Sequence, residues 1–281
     1  MEEINLILKI QSVYNQFTKA EKKVADYCLA HKNEVPYLSI TELADACQVG
    51  DTSVYRFCRT LELEGYQEFK MRFSLSQGSS QNPVSAECDN DQNDSLSKRL
   101  LSAHQNAIAE TYEMLNQAEL DKVVAMLQKA EKIYFFGVGD SLLAAHEACN
   151  RFLRITSKVC CITDPHMQAV VTSHSTSKDL IFIISYSGAT KDNIHIARLA
   201  KERGAMVACI SHFQKSPLTA YSDAILLCGS KEGPLNRGSM SAKSAQLYLI
   251  DLLYQSFYEC NPEESFRNVE LSSASVLERS F

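Results

Sequence analysis

Apolar and polar positions follow three regimes along this chain. From Ile4 to Phe73 the apolar residues recur at spacings of three and four, the period of amphipathic helices. Within "SITELADACQVGDTSVYRFCRTLELEGYQEFK", Ser39 is followed three residues later by Glu42, the spacing of a capping box. A helix is therefore predicted from Ile40, burying Ile40, Leu43, Ala44 and Cys47. The pattern breaks near Val49 and Gly50 and resumes after Asp51, a good N-cap residue, with Val54, Phe57, Cys58 and Leu61 on one stripe. Gly65 is expected to end this second helix.

The second regime, "SLSQGSSQNPVSAECDNDQNDSLS" from Ser74 to Ser97, is short of large apolar residues and reads as a linker. The third begins with an amphipathic stretch from Leu96 to Ala130 and continues as short apolar runs. These are "KIYFFG" (Lys132 to Gly137), "KVCCI" (Lys158 to Ile162), "DLIFIIS" (Asp179 to Ser185), "AMVACIS" (Ala205 to Ser211) and "AILLC" (Ala224 to Cys228). Runs that are apolar on both faces suit strands of a parallel sheet covered by helices on each side. Helical stretches are expected at Ser141 to Ile155, Thr190 to Arg203 and Ala242 to Tyr258. The chain thus reads as multidomain: an all-α unit over residues 1–77, a linker over 78–95, and over 96–281 an α/β sandwich with a parallel five-stranded sheet flanked by helices. No internal repeat is evident.

Composition narrows the class. Of the 281 residues, 45% are hydrophobic and 22% charged, and the net charge of -6 argues for a soluble globular chain, neither disordered nor strongly basic. The start "MEEINLILKIQ" has acidic residues where a signal peptide needs positive ones, and no apolar run approaches the roughly 18 residues of a membrane span. A cytoplasmic protein without a membrane partner is expected. The ten cysteines are scattered with no C-x-x-C pair, so they read as small core residues in a reducing compartment, with no metal site and no cofactor expected.

Two short helices joined by a tight turn, with Ala44 at the close crossing and Val54 facing it, match the helix-turn-helix layout. The second helix then turns Thr52, Ser53, Tyr55, Arg56 and Arg59 away from its apolar stripe. Small hydroxyls near a helix N-terminus suit phosphates, and arginines suit guanine edges or the backbone of a double-stranded DNA operator. Charge tempers this. Residues 1–78 carry nine Lys and Arg against eleven Asp and Glu, a net of -2, where a DNA-binding unit is usually basic. From Thr52 to Leu61, however, there are two arginines and no acid, which leaves a locally positive face whose nonspecific affinity is modest and steeply salt-dependent.

The chemistry of the second unit concentrates where strands hand over to helices. In "GVGDSLLAAHEA", Gly137 and Gly139 permit a tight turn and Ser141 begins a helix. In "ISYSGATKDN", Ser185, Ser187 and Thr190 add hydroxyl donors to the amides of Gly188 and Ala189. Ligands of open α/β sheets settle outside the carboxyl ends of strands, near helix N-termini whose free N–H groups favour anions, so a phosphate is the natural guest. Neither junction is a Walker loop, because no G-K-[ST] follows, and neither is a dinucleotide fingerprint or a G-x-S-x-G nucleophile elbow.

On these residues a resemblance stands out. "GVGDS" after one strand and "ISYSGAT" after another resemble the sugar isomerase (SIS) domain, a phosphosugar-binding fold, and the Ser39 to Lys70 segment resembles the helix-turn-helix of the RpiR family of bacterial regulators. The resemblance runs from about Ile4 to Tyr258 in the family's domain order. It implies a regulator of sugar-catabolism genes that responds to sugar phosphates. It further implies that Ser185, Ser187 and Thr190 hold the phosphate, with Ser141 on the neighbouring loop, among the small residues Gly139 and Gly188. "TDPHMQ" (Thr163 to Gln168) is similar to a family element that shapes the pocket through Asp164 and His166. Gln48 departs from the pattern, standing where many helix-turn-helix units have glycine.

An isomerase or lyase built on the same domain is the alternative, and it needs a base within reach of its substrate; His146, Glu147, His166 and Glu232 are the candidates. Binding without turnover needs only the hydroxyl and amide cradle. The expected mechanism is ligand-gated DNA binding, in which a phosphorylated sugar effector favours one arrangement of the protein over another. Two half-sites about 34 Å apart call for a homodimer or homotetramer, with the Leu96 to Leu127 stripe or the Ala242 to Tyr258 stripe as its contact or else as internal core. A pure protein-interaction module is the third reading of the N-terminal helices.

Overall fold

The structure is a computed structural model and describes residues 5–77, 95–230, 233 and 238–277. These residues fall into two compact units, the first drawn largely from residues up to Ala103 and the second from His104 onward.

The first unit contains α1 (Leu6–Ser12), α2 (Lys19–Ala30), α3 (Ile40–Cys47), α4 (Asp51–Thr60) and α5 (Tyr66–Leu75). The capping box forms as expected: Glu42 N–H donates to the Ser39 hydroxyl at 3.0 Å, and Ser39 N–H donates to the Glu42 carboxylate at 2.8 Å. A second box opens α2 through Thr18 and Glu21. Leu43, Ala44, Val54, Phe57, Cys58 and Leu61 are all buried, and Phe17, Phe57, Phe69 and Phe73 run through the core as successive ring contacts of 5.1, 5.6 and 5.3 Å. Burying a phenylalanine contributes about 2 kcal/mol, so this file of rings is a substantial share of the unit's cohesion.

Three local expectations are corrected. Asp51 is the first helical residue of α4, with Gly50 as N-cap, and its carboxylate accepts from the Thr41 hydroxyl at 2.8 Å, tying α4 to α3. Helix α4 ends at Thr60, and the left-handed turn is made by Glu62 at φ 62°; Gly65 instead opens α5. Gln48 takes the left-handed conformation (φ 54°) that closes α3, its N–H bonding to the carbonyls of Ala44 and Asp45. A glutamine thus performs the geometry usually left to glycine at a helix C-terminus.

In the second unit, α7 (Gln117–Lys129) follows α6 (Leu96–Glu113) after a break the apolar pattern did not show. Asn116 makes the break by accepting from the N–H groups of Ala118 and Glu119 with its side chain. The sheet consists of β1 (Lys132–Phe136), β2 (Val159–Cys161), β3 (Asp179–Ile184), β4 (Met206–Ser211) and β5 (Ala224–Leu227), all parallel in the order β2-β1-β3-β4-β5. Central β3 is buried at every position while edge strand β5 alternates, as both-faces and one-face burial require. The crossovers include α8 (Asp140–Phe152), α9 (Pro165–Thr172) and α10 (Lys191–Glu202), and the chain closes with α11 (Met240–Cys260) and α12 (Pro262–Leu277). Helices α9 and α12 were not anticipated as elements. One core, on the face bearing α7, α8 and α11, is built around Leu127, Phe135, Phe152, Phe182 and Leu249; the other, beneath α10, is built around Phe136, Ile183, Ile196 and Val207. Leu120, Val123 and Leu127 of α7 and Leu249, Leu253 and Phe257 of α11 are spent in the first of these, so those residues are internal core, whereas Leu96, Leu100, Leu101 and Tyr112 of α6 are exposed.

Candidate functional site

Strand order positions the second unit's site. The chain leaves β1 toward β2 on one side and, from β3 onward, advances to the other, so the topological switch point lies between β1 and β3, whose C-terminal ends pair Phe136 with Ile183. Residues 137–141 and 185–190 leave those neighbouring ends. Gly137 is demanded by packing, since a Cβ there would lie 2.8 Å from the backbone of Ser141. Gly139 (φ 61°, ψ -131°) and Gly188 (φ 58°) are held where a side chain is strained, so each loop turns sharply into its helix.

In the 185–190 loop, Ser185 is 2% exposed and Ser187 and Thr190 are half-buried. The amides expected to meet an anion are engaged within the loop: Gly188 N–H donates to Ser185 O at 3.2 Å and Ala189 N–H to the Ser187 hydroxyl oxygen at 3.3 Å. Ser187 therefore keeps its own proton to donate. Thr190 is the N-cap of α10, yet its side chain makes no capping bond, and the N–H groups of Lys191, Asp192 and Asn193 lack an intrahelical partner by helix geometry. Those groups, rather than the Gly188 and Ala189 amides, form the positive end of the α10 dipole. Across the switch point Ser141 is half-buried in the first turn of α8, again without a side-chain cap.

Side chains that the sequence did not single out complete the surroundings. Lys243, only 13% exposed, donates from Nζ to Asp140 O at 3.1 Å and approaches its carboxylate at 3.3 Å, placing an ammonium beside Ser141. Tyr186 stacks on His212 (4.9 Å, 6° between planes) and donates its hydroxyl to Ser230 O at 2.5 Å. Gln168 of α9 is fully buried and donates from Nε2 to Gly137 O at 3.2 Å and to Ile162 O at 2.6 Å, pinning the β1 loop to the end of β2. Sequence pattern offers no pointer to Lys243, because its closeness to Asp140 spans 103 residues. Of the pocket residues implied by resemblance, Asp164 spends its carboxylate capping α9 at Met167 N–H (2.8 Å), and His166 is exposed. His146 pairs with Asn150 at 3.0 Å and faces solvent, as does Glu147, while Glu232 lies outside the described residues.

On the first unit, Thr52, Tyr55, Arg56 and Arg59 are exposed on α4 and Ser53 is half-buried. Arg59 donates one guanidinium N–H to Leu63 O at 3.2 Å, which steadies it along the helix end. Arg56 lies close enough to Glu21 to help hold that carboxyl below its usual range.

Among the described residues no group of His, Cys, Asp or Glu could hold a metal ion, and no helix is long and apolar enough to cross a membrane. The thiols of Cys58 and Cys209 are pushed up to about 12 by burial, so they are inert core groups.

Comparison with known proteins matches both units. Residues 4–80 match the model described as "Helix-turn-helix domain, rpiR family", and residues 126–256 match the SIS domain. An HTH-type transcriptional regulator of Haemophilus influenzae is 34% identical over 255 residues, covering 89% of this chain and 88% of that protein. Another from Caldanaerobacter subterraneus is 33% identical, covering 89% of each. The solved structure of Vibrio vulnificus NanR complexed with ManNAc-6P superposes with a TM-score of 0.85 at 28% identity, covering 97% of this chain and 98% of that one. The sugar isomerase domain of an RpiR transcription factor from Sphaerobacter thermophilus shares the fold (TM-score 0.59, 14% identity), covering 64% of this chain and 98% of that one.

Proposed function

This chain belongs to the RpiR family of helix-turn-helix transcriptional regulators carrying a SIS domain, and from that premise we propose that it binds operator DNA under the control of a phosphorylated sugar. The observation that carries the reading is the pair of hydroxyl-bearing loops leaving adjacent strands β1 and β3, one of them running into a helix whose first N–H groups have no cap. Ser185, Ser187 and Thr190 on one side and Ser141 on the other form the anion seat, with Gly139 and Gly188 shaping its loops. Lys243 lies at its rim, where an incoming phosphate competes with Asp140 for the ammonium. The complex of NanR with ManNAc-6P supports the ligand class.

Residues 1–77 are the DNA-reading unit, 96–281 the sensing unit, and 78–95 the segment joining them. On α4, Arg56 and Arg59 contact bases or backbone while Thr52, Ser53 and Tyr55 meet phosphates, as the N-terminal part of a recognition helix does. The genes controlled are those of carbohydrate metabolism. Two-fold operators require at least a homodimer, and the protein acts in the cytoplasm where its DNA is.

Turnover has less support than sensing. A proton-moving enzyme needs a base at the substrate carbon, and the described candidates, His146, Glu147 and His166, are solvent-exposed side chains, one of them already paired. The test is a fluorescence-anisotropy titration of the full-length protein on DNA from upstream of its own gene, with and without a panel of aldose, ketose and amino-sugar phosphates. Binding that one phosphate changes at least fivefold, with the parent sugar inactive, is the expected result. DNA binding indifferent to every sugar phosphate removes the sensing half of the proposal; no DNA binding removes the other.

A further inference from the structure

The helix that leaves the 185–190 loop buries one polar side chain that its caps do not account for. Asn193, in the first turn of α10, is 1% exposed, and neither its Oδ1 nor its Nδ2 has a hydrogen-bond partner in the protein. Buried carboxamides are nearly always paired, because a desolvated donor or acceptor left unmet forfeits the bond it had to water. Nothing in the local packing asks for a polar group here. Asn193 shares the inward stripe of α10 with Ile196, Ala197 and Ala200, which pack into the apolar core beneath the helix, and a leucine has the volume to continue that stripe.

The direction of the side chain follows from helix geometry. Helical side chains lean toward the N-terminus and cover the turn before their own Cα. For Asn193 that turn is Thr190 to Asp192, the uncapped end of α10, so the carboxamide is carried back beneath the seat. Gln168 on neighbouring α9 has its Nε2 satisfied by two carbonyls and only its Oε1 left over, whereas both polar atoms of Asn193 are left over.

We propose that Asn193 contacts the effector, its Nδ2 donating to a phosphate oxygen and its Oδ1 accepting from a hydroxyl of the same molecule. The proposal rests on the sugar-phosphate reading of the seat and deepens it. Charge dictates the pairing: an ionised phosphate monoester offers chiefly acceptors, which suit Nδ2 and leave Oδ1 unmet, while a sugar or polyol hydroxyl donates to Oδ1. A phosphate that carries a hydroxylated chain satisfies the whole carboxamide. Inorganic phosphate has no sugar hydroxyl held apart from its phosphorus to reach Oδ1 while its oxygens accept from Nδ2, which makes Asn193 a means of preferring phosphorylated sugars over the free anion.

The test is calorimetric titration of the full-length protein with the same sugar-phosphate panel and with inorganic phosphate, for wild type, Asn193→Leu and Asn193→Asp. Asn193→Leu is expected to melt, ligand-free, at or above the wild-type temperature while weakening the preferred sugar phosphate about tenfold or more, the loss of one hydrogen bond to a charged group. Asn193→Asp places a carboxylate under the anion and is expected to weaken it further still. Should the leucine variant not fold, Asn193→Ala, which demands no extra volume, carries the same expectation. A leucine or alanine variant that binds the sugar phosphate with wild-type affinity overturns the inference and leaves the seat intact. A wild type that binds no member of the panel overturns the seat, and the inference with it.

Discussion

Gly188 shows how much of the proposed seat rests on single backbone angles. At φ 58° it bends the 185–190 loop so that its carbonyl accepts from Leu218 N–H at 2.9 Å. Gly188→Ala is expected to cost about 1 kcal/mol, the left-handed penalty of a residue with a Cβ, and to weaken sugar-phosphate binding at the same time; urea denaturation with parallel titration reads both. Glu21 is the corresponding case in the first unit. Burial alone raises its carboxyl, but the Thr18 N–H at 2.8 Å, the Thr60 hydroxyl at 2.9 Å and nearby Arg56 outweigh burial, and the net pKa falls below the usual 4.5. A carboxylate lowered on folding stabilises the fold at pH above its unfolded value, and that contribution is lost as pH falls through the folded one. Melting temperatures from pH 7 to pH 3 check this: the advantage of wild type over Glu21→Gln should be constant near neutrality and shrink through the acid limb, and a gap independent of pH would refute it.

Asn116 and the outer edge of β5 show elements held by side chains rather than by propensity. Asn116 starts α7 by satisfying two N–H groups, so Asn116→Ala is expected to cost about 1 kcal/mol in equilibrium unfolding of the second unit. On that same helix, Glu119 accepts from Ile225 N–H at 2.9 Å and occupies a donor on the free side of β5. A bare strand edge invites pairing with another chain, so covering it with a helix and a carboxylate serves solubility as well as stability. In the first unit, Asp51 and Thr41 join α3 to α4 directly, which fixes the crossing of the two helices that approach DNA under the proposed function.

For the molecule as a whole, charge and function pull apart. A net charge of -6 disfavours loose association with nucleic acid, so under the proposed function the contacts to DNA fall to a few arginines on α4. Arg56→Ala is expected to weaken DNA binding across sequences and to lower the slope of log affinity against log salt by about 1 if Arg56 neutralises one phosphate. The response to sugar phosphate should persist in this variant, since the seat is untouched. Anisotropy titrations at several salt concentrations check both, and an unchanged slope would place Arg56 away from the backbone.

The amino-acid order was sufficient for the periodic elements and for most of their caps. The stripe from Val54 to Leu61, the Ser39 and Glu42 box, the five apolar runs and the small, hydroxyl-rich turns at 137–141 and 185–190 were legible because helix period, capping and strand burial are properties of neighbouring residues. Boundaries were less so: Gln48 and Glu62 adopt positive φ that glycine was expected to supply, and Asn116 divides a stripe whose apolar spacing runs on unbroken. What required the folded chain was long-range: that β1 and β3 are neighbours, which brings two loops some fifty residues apart to one crevice, that Lys243 reaches Asp140, and that Asn193 is buried without a partner. Sheet order and desolvation depend on the packing of distant segments, and no window along the chain contains both members of such a pair.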